Sequence, residues 1–391
     1  MTAINNNKYK FAFIVSLFFE YGGMQRTLFR VAEECSRRGH EVHVLTGGWI
    51  GEKSDNIEVH EFDTRAPTNV WSNDILLKKV RQHIAGNDYD CIVGFTKIPG
   101  LDVYYAGDPC YAARVDEGKG WFYKLLPRYR GFKRQEAAVF APGTDTEILL
   151  IAHQEKEKFI HYYGTEADRF HLLPPGINRD RLLAQQISND DKQTLRSGLG
   201  IAEDDNMILL VGSRFRTKGV DRAIRALASL PEAGRAKSKL VVVGGDKQGP
   251  YLKLARQYGV ADRVLFIGER DDVAVFYASA DLLLHPPYSE NTGTILIEAM
   301  LFGLPVLVTG NCGFEYHVRD AGAGMICPYP FQQYALNRML SEMLVSDKRP
   351  QWRTGGRIYC EKTDLYSLIE RAVDVIIDRA DRNVAITGGV A

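Results

Sequence analysis

Apolar positions along this chain fall into short, nearly unbroken runs separated by stretches of helical period. That is how parallel strands buried on both faces read, as opposed to strands with one wet side. The first run covers 11–17; a loop at Gly22-Gly23 follows, then a helix predicted over 25–38, closed by Gly39-His40, and a second strand over 41–45. The same order of strand, loop and helix leads to another strand at 90–94, so the beginning of the chain reads as parallel α/β architecture. Right-handed crossovers would put the Gly22-Gly23 loop on the carboxyl edge of that sheet, where open α/β folds bind ligands.

A second series starts at 207–211 and continues with a helix over 220–230, a strand over 239–243, a helix near 251–258, a strand over 264–267 and a helix over 273–278. The apolar run 282–284, a helix over 293–302 and a strand over 305–308 complete it. Two α/β units in series follow, joined between Leu172 and Ala202, where Pro174-Pro175-Gly176 signals a turn or hinge and Ser188 caps a separate polar helix over 188–196. The expected domains are 1–185 and 186–362, with 363–391 as a closing segment. In that segment Leu365, Leu368, Ile369, Ala372, Val373, Ile376 and Ile377 mark an amphipathic helix over 363–378, and the tail from Asp381 is expected to fray. A cleft between two such units is the natural meeting place for two substrates.

Composition narrows the class. At 391 residues and 45% hydrophobic content the chain exceeds one ordinary core, in line with two domains. Lys plus Arg and Asp plus Glu both number 49, a balance that argues against wholesale nucleic-acid binding. The six cysteines are scattered, with no close pair of metal-ligand spacing and no staple-like framework, as in a reduced cytoplasmic protein. The run 11–19 behind Lys8 and Lys10 imitates a secretory segment, but no small-residue cleavage site follows and it is too short to span a bilayer, so a buried strand is expected.

The richest chemistry lies in Ser289-Glu290-Asn291-Thr292-Gly293-Thr294, which follows an apolar run and opens a helix that carries Glu298. Free amides at such a helix start hold a diphosphate, while the two acids can read the hydroxyls of a sugar and a ribose. Glu298 lies among Ile295, Leu296, Ile297 and Ala299, a setting in which a carboxylate needs hydrogen-bond partners. The bland alternative is a backbone-capping Glu298 and a solvated Glu290. Gly212 to Gly219 follows another strand and brings Arg214, Arg216 and Lys218, of which Arg214 and Lys218 are the candidates to neutralise a leaving diphosphate. The loop lacks Walker spacing. Gly244 ends the next strand, either for close approach to a nucleotide or as a plain turn.

In the first unit, the amides of Gly22 and Gly23 are candidates for a phosphate or a sugar, although the loop is no dinucleotide fingerprint. Asp108, just past a strand, is placed as a general base or acceptor ligand, and Lys97 as an acceptor contact; Asp102 starts that strand and should face away. From Lys119 to Arg134 the chain has six cations (Lys119, Lys124, Arg128, Arg130, Lys133, Arg134) and five aromatic residues, Trp121 first among them, with no acidic side chain. Such a mixture suits an anionic membrane surface or an anionic acceptor; a structural lid and nucleic acid are the other readings.

These motifs resemble the retaining glycosyltransferases of family 4 type, with the two-Rossmann-domain GT-B fold. The class-level likeness rests on Glu290 to Glu298, on Ala299-Met300-Leu301-Phe302-Gly303-Leu304-Pro305-Val306, and on Lys218-Gly219. A closer likeness, to the bacterial lipopolysaccharide core glucosyltransferases, rests on Gly22-Gly23-Met24-Gln25-Arg26, Pro99 to Tyr104, Asp108 with Cys110-Tyr111-Ala112, Leu173 to Ile177, Gly219 to Arg222 and Asp364 to Leu368. It implies two Rossmann-like domains facing each other across a cleft, with a C-terminal helix returning to the first. It implies transfer of glucose from UDP-glucose to a heptose of the lipopolysaccharide inner core, without a divalent metal or other cofactor, at the inner face of the cytoplasmic membrane. By the same likeness Glu290 contacts the donor sugar, Glu298 the ribose, Lys218 and a neighbouring Arg the diphosphate, Gly22 and Gly23 the donor, and Asp108 the reacting centre. Two departures stand out. Asn291-Thr292-Gly293 replaces a common Gly-Phe-Gly, and Gly212-Ser213-Arg214 replaces a common Gly-Arg pair. The alternatives are a retaining hexosyl- or N-acetylhexosaminyltransferase with another glycan or lipid acceptor, and a catalytically silent sugar-nucleotide-binding protein.

Overall fold

The structure, a computed structural model, describes residues 7–20, 23–178 and 187–388. It divides the chain into two compact units, one of Met1–Gly176 with Ser367–Ala391 and one of Ile177–Tyr366. The first holds β1 (Lys10–Val15), β2 (Phe18–Phe19), β3 (Glu41–Thr46), β4 (Trp49–Ile50), β5 (Glu58–Glu61), β6 (Cys91–Gly94), β7 (Val103–Ala106), β8 (Glu147–Leu150) and β9 (Phe170–Leu172). Seven of these form one parallel sheet in the order β5-β3-β1-β6-β7-β8-β9, while β2 and β4 pair separately. The second unit holds β10 (Asn206–Val211), β11 (Ser238–Val243), β12 (Val264–Gly268), β13 (Leu282–His285), β14 (Val306–Thr309) and β15 (Gly324–Cys327), in the parallel order β12-β11-β10-β13-β14-β15. Both are Rossmann-like sheets of the kind the apolar runs predicted.

Strand periodicity explains the layers. On β1, Phe11, Phe13 and Val15 enter one core while Ala12 and Ile14 enter the core on the opposite face. On β10, Met207, Leu209 and Val211 go one way and Ile208 and Leu210 the other. Each sheet is therefore buried on both sides, which is why its strands lack alternation in sequence.

The closing helix differs from its expected bounds. It runs Leu368–Gly388, starting later than 363 and continuing through the tail expected to fray. Leu365 belongs to the core of the second unit, whereas Leu368, Ile369, Ala372, Val373 and Ile376 pack into the first beside Phe11, Phe13 and Leu28. The tail is held by polar contacts: Asp381 accepts from the Tyr9 hydroxyl, Arg382 pairs with Glu147 at 2.6 Å, and Asn383 donates to the Asp90 carbonyl at 2.9 Å. The inbound crossing is equally well marked. Leu173 lies in the first core and Ile177 in the second, so the units part at Gly176 rather than near 185. Gly176 has φ +71°, and a Cβ there would stand 2.7 Å from the Leu368 side chain. Ser188 caps the helix Asn189–Gly198 in a reciprocal capping box with Asp191.

One buried acid organises the middle of the first unit. Glu136, on the helix Pro127–Phe140 and wholly buried, accepts from the amides of Tyr111 at 3.0 Å and Ala112 at 3.2 Å, from the Tyr163 hydroxyl at 2.7 Å, and pairs with the Lys97 ammonium. It satisfies the opening turn of the helix Tyr111–Gly118, which begins just after Asp108. Removing it would strand a partly buried ammonium and two buried amides. Glu136→Ala should therefore cost the first unit about 3–5 kcal/mol in urea unfolding; a loss below about 1 kcal/mol would contradict this account.

Candidate functional site

In both units the strand order reverses once, between β1 and β6 in the first and between β10 and β13 in the second. Loops leaving the carboxyl ends of such a strand pair diverge and open a crevice for ligands. In the second unit these two loops carry the residues singled out from sequence. β10 leads into Gly212 to Gly219, and β13 leads through Pro286 and Pro287 to Glu290 and Gly293.

Glycines set how closely these loops approach. Gly219 has φ +74°, and a Cβ on it would stand 2.0 Å from the Pro286 carbonyl oxygen, so only glycine lets the first loop lie against the second. The Tyr288 amide donates to the Thr217 carbonyl at 2.8 Å, and Arg222 is stacked between the rings of Tyr288 and Phe331, 3.7 Å from each centroid, while donating to the Pro287 carbonyl at 2.7 Å. Further along, the Gly313 and Phe314 amides donate to the Glu290 and Thr292 carbonyls at 3.0 and 2.8 Å. These bonds fix the backbone of Glu290, Asn291 and Thr292 before any ligand arrives.

The consequence is that Lys218 and Glu290 form an ion pair, with both side chains largely withdrawn from solvent. His285, the last residue of β13 and fully buried, has Nε2 at 3.5 Å from the Glu290 carboxylate, too long for a good hydrogen bond. Burial works against ionisation of Glu290, but the neighbouring His285 and Lys218 outweigh it and lower the carboxyl to about 2. Burial lowers the pKa of His285, so its ring is neutral near pH 7. Gly293, at φ +105°, starts the helix Thr294–Leu301, and a Cβ on it would clash with Cys312 Sγ at 2.6 Å. One turn inside that helix, half-buried Glu298 accepts from the Tyr277 hydroxyl at 2.9 Å. Burial and then the Glu298 charge push the Tyr277 hydroxyl far up, which keeps it a donor.

Arg214 is exposed and sits at φ +57° and ψ +62°, the one non-glycine left-handed residue among those described. Such a conformation costs on the order of 1 kcal/mol. The loop is braced from β11: the Phe215 amide donates to Asp246 at 2.7 Å and the Gly245 amide to the Ser213 hydroxyl at 3.2 Å. Gly244, at φ +145°, would place a Cβ 2.4 Å from the Gly212 carbonyl, so its task in the structure is to pack against the loop of Arg214.

In the first unit, Gly23 is the first residue of the helix Gly23–Arg37; Gly22 lies outside the described residues. Asp108 is exposed beyond β7 and lines a cavity of about 310 Å³ at the carboxyl edge, together with Ser16, Thr96, Arg114, Arg128 and Gln135. Ser16 bonds to Asn73 at 2.9 Å and to Thr96 at 2.8 Å, a polar floor at the point of strand reversal. Lys97 also lines this cavity, with its ammonium engaged by Glu136. Asp102 accepts from the Ile92 amide at 2.8 Å and takes no part in the cavity.

The basic aromatic segment splits in two. Tyr129 is buried with Tyr111, Val115, Tyr123 and Phe132 against it, whereas Trp121 and Phe122 stack on each other at 3.7 Å and are 65% and 66% exposed, beside exposed Leu125 and Leu126. Lys119, Lys124, Arg128, Arg130, Lys133 and Arg134 all reach solvent. Of these, Lys124 pairs with Asp116 at 2.6 Å and Arg134 with Asp74 at 2.7 Å.

Sequence reading did not single out His285, Tyr277, Ser16, Asn73, Arg114 or Gln135. Only His285 left a signal, as a polar residue ending a fully buried strand.

Comparison with known proteins agrees with this geometry. Residues 191–357 match the family model "Glycosyl transferases group 1" and residues 21–181 match "Glycosyltransferase Family 4". The lipopolysaccharide glucosyltransferase WaaG of Escherichia coli (strain K12) is 42% identical over 371 residues, covering 95% of this chain and 99% of that protein. The crystal structure of WaaG, a glycosyltransferase involved in lipopolysaccharide biosynthesis, superposes with TM-score 0.83 at 41% identity, covering 94% of this chain and 99% of that one. Anabaena HepE in complex with UDP and glucose shares the fold at TM-score 0.68 and 19% identity, covering 95% of this chain and 100% of that one.

The lowered pKa of Glu290 predicts a pH signature. A carboxyl depressed on folding stabilises above its unfolded value near 4.5, and that contribution disappears as pH falls toward 2. In urea titrations Glu290→Gln should be less stable than the parent by on the order of 2 kcal/mol at pH 7, with the gap closing between pH 4.5 and 2. A gap that stays constant with pH would show that the charge of Glu290 is not what stabilises the site.

Proposed function

The chain belongs to the family-4 glycosyltransferases, and we propose that it transfers glucose from UDP-glucose to a heptose of the lipopolysaccharide inner core, with retention at the anomeric carbon. The observation that carries this reading is the Lys218–Glu290 pair at the strand reversal of the second sheet, in front of the helix that bears Glu298.

Lys218 and Arg214 receive the donor diphosphate, with the amides that open the helix Thr294–Leu301. Because Glu290 stays ionised, it accepts hydroxyls of the hexose and keeps Lys218 pointed at the phosphates. Asn291 and Thr292 hold the sugar edge, and Glu298 takes the ribose hydroxyls with the Tyr277 donor behind it. As the bond between C1 and the phosphate oxygen breaks, negative charge grows on the diphosphate, and two cations fixed beforehand stabilise it more than they stabilise the ground state. The acceptor oxygen bonds C1 on the face the phosphate leaves, and its proton passes to the departing phosphate oxygen. Gly22 and Gly23 approach the donor, and the cavity floored by Ser16 and Thr96 takes the acceptor, with Asp108 on the attacking hydroxyl and Lys97 and Arg128 near its anionic groups.

The acceptor is lipid-linked, and no described helix is long and apolar enough to cross a membrane. Exposed Trp121, Phe122, Leu125 and Leu126, framed by Lys119, Arg128 and Arg130, suit insertion at the headgroup level of an anionic bilayer. The enzyme accordingly works as a peripheral protein on the inner face of the cytoplasmic membrane.

A panel of nucleotide sugars offered with truncated core lipid, followed by NMR of the product linkage, tests the reaction; consumption of another donor would redirect the assignment to a different hexosyl- or N-acetylhexosaminyltransferase. Lys218→Ala should lower kcat by about 10²–10³-fold while far-UV circular dichroism stays that of the parent. Unchanged turnover would remove Lys218 from the mechanism. For the surface, Trp121→Ala with Phe122→Ala should abolish flotation with vesicles rich in anionic lipid and leave turnover on a soluble acceptor intact; flotation equal to the parent would overturn the membrane role.

A further inference from the structure

The first unit has a side-chain cluster that the transfer reaction leaves unused. His43 on β3, His60 on β5 and His83 in the last turn of the helix Asn69–Ile84 bring one ligating nitrogen each within 4.8 Å of one another. His60 Nε2 lies 3.1 Å from His43 Nδ1, and the Tyr89 hydroxyl stands 2.9 Å from His43 Nδ1 and 3.0 Å from His83 Nε2. The three residues are far apart in sequence and come from three different elements, so only the tertiary fold brings them together.

Carboxylates stand beside two of the three rings. His60 Nε2 lies 3.1 Å from Glu58, and His43 Nε2 faces two carboxylates, Glu41 at 3.1 Å and Glu58 at 3.3 Å, toward which it directs a proton. Its Nδ1 lone pair then points inward, at Tyr89 and His60. An imidazole that donates one N–H to a carboxylate and turns the other nitrogen to a common centre is the arrangement that orients metal-bound histidines. Without an ion the His60 ring proton and the Tyr89 hydroxyl proton satisfy the facing nitrogens, and both give way when a cation takes their place.

Around a tetrahedral zinc with Zn–N of about 2.0–2.1 Å, donor atoms stand about 3.3 Å apart. The His60–His43 separation is already close to this, and His60 and His83 are only half-buried, so their rings have room to turn. With imidazole donors and no thiolate, the set suits zinc among the late first-row cations. Position argues for a structural ion. Glu41 opens β3, Glu58 opens β5 and pairs in register with His43, and the helix that ends near His83 leads into the start of β6. The cluster thus lies toward the amino edge of the sheet, opposite the edge that bears Ser16, Thr96 and Asp108.

We infer that His43, His60 and His83 form a zinc site, with the Tyr89 oxygen as the nearest fourth donor, that ties edge strand β5 and the helix Asn69–Ile84 to the first sheet. The ion stiffens the fold and takes no part in glucosyl transfer.

The test uses untagged full-length protein stripped with EDTA and titrated with zinc against a chromophoric chelator, with thermal melts in parallel. One zinc per chain should bind, the melting temperature should rise by several degrees, and X-ray absorption should show three imidazole nitrogens around the ion. His83→Gln should weaken zinc binding by at least about tenfold and abolish the thermal shift, while the zinc-free variant melts close to the zinc-free parent. If His83→Gln does not fold, His60→Gln on the edge strand serves the same comparison. Absence of saturable binding, or variants that bind zinc like the parent, would overturn the site and leave a hydrogen-bonded histidine cluster without a metal.

Discussion

Glu290 and Lys218 can meet only because a glycine backbone at 219 lies against the Pro286 carbonyl, at a distance no side chain tolerates. Much of the second unit serves that contact. Arg222 is stacked between two rings to hold the loop from behind, the Gly313 and Phe314 amides fix it from the side, and Asp246 braces the loop of Arg214. Replacing both partners of such a pair by apolar groups would cost little, since desolvation offsets most of their attraction, whereas removing one leaves the other uncompensated. What the pair does in the structure is hold a cation and an anion in fixed places.

The two units apply one architecture to two tasks. Each is a parallel sheet with a single reversal of strand order, and each presents its polar equipment on the loops at that reversal. In the second unit the equipment is charged. In the first it is a hydrogen-bonded floor of Ser16, Thr96 and Asn73, with Asp108 at the rim. The buried Glu136 ties that rim to the helices behind it, and it draws Lys97 inward, so this lysine has a structural attachment as well as a cavity-facing position.

The basic aromatic segment shows how composition and packing divide a motif. Six cations and five aromatic rings read as one patch along the chain, yet Tyr129 goes to a small core while Trp121 and Phe122 stay outside. Two of the cations are partnered by Asp116 and Asp74, from other helices. The exposed aromatic pair and the remaining cations are left facing solvent.

By itself the sequence determined the two α/β units, because strands buried on both faces must be continuous apolar runs and the helices between them must show a 3.6-residue period. It also placed the loops of Lys218 and Glu290, since glycines and acids just after such runs fall on the carboxyl edge. Tertiary structure alone decided where the units part. Ile177 and Leu365 join one core while Leu173 and Leu368 join the other, a division that local pattern does not contain. It likewise decided that the tail past Asp381 is helical, through partners at Tyr9, Asp90 and Glu147. The gathering of His43, His60 and His83 has the same cause: their spacing follows no motif, and their proximity comes from strand register and from the end of one helix.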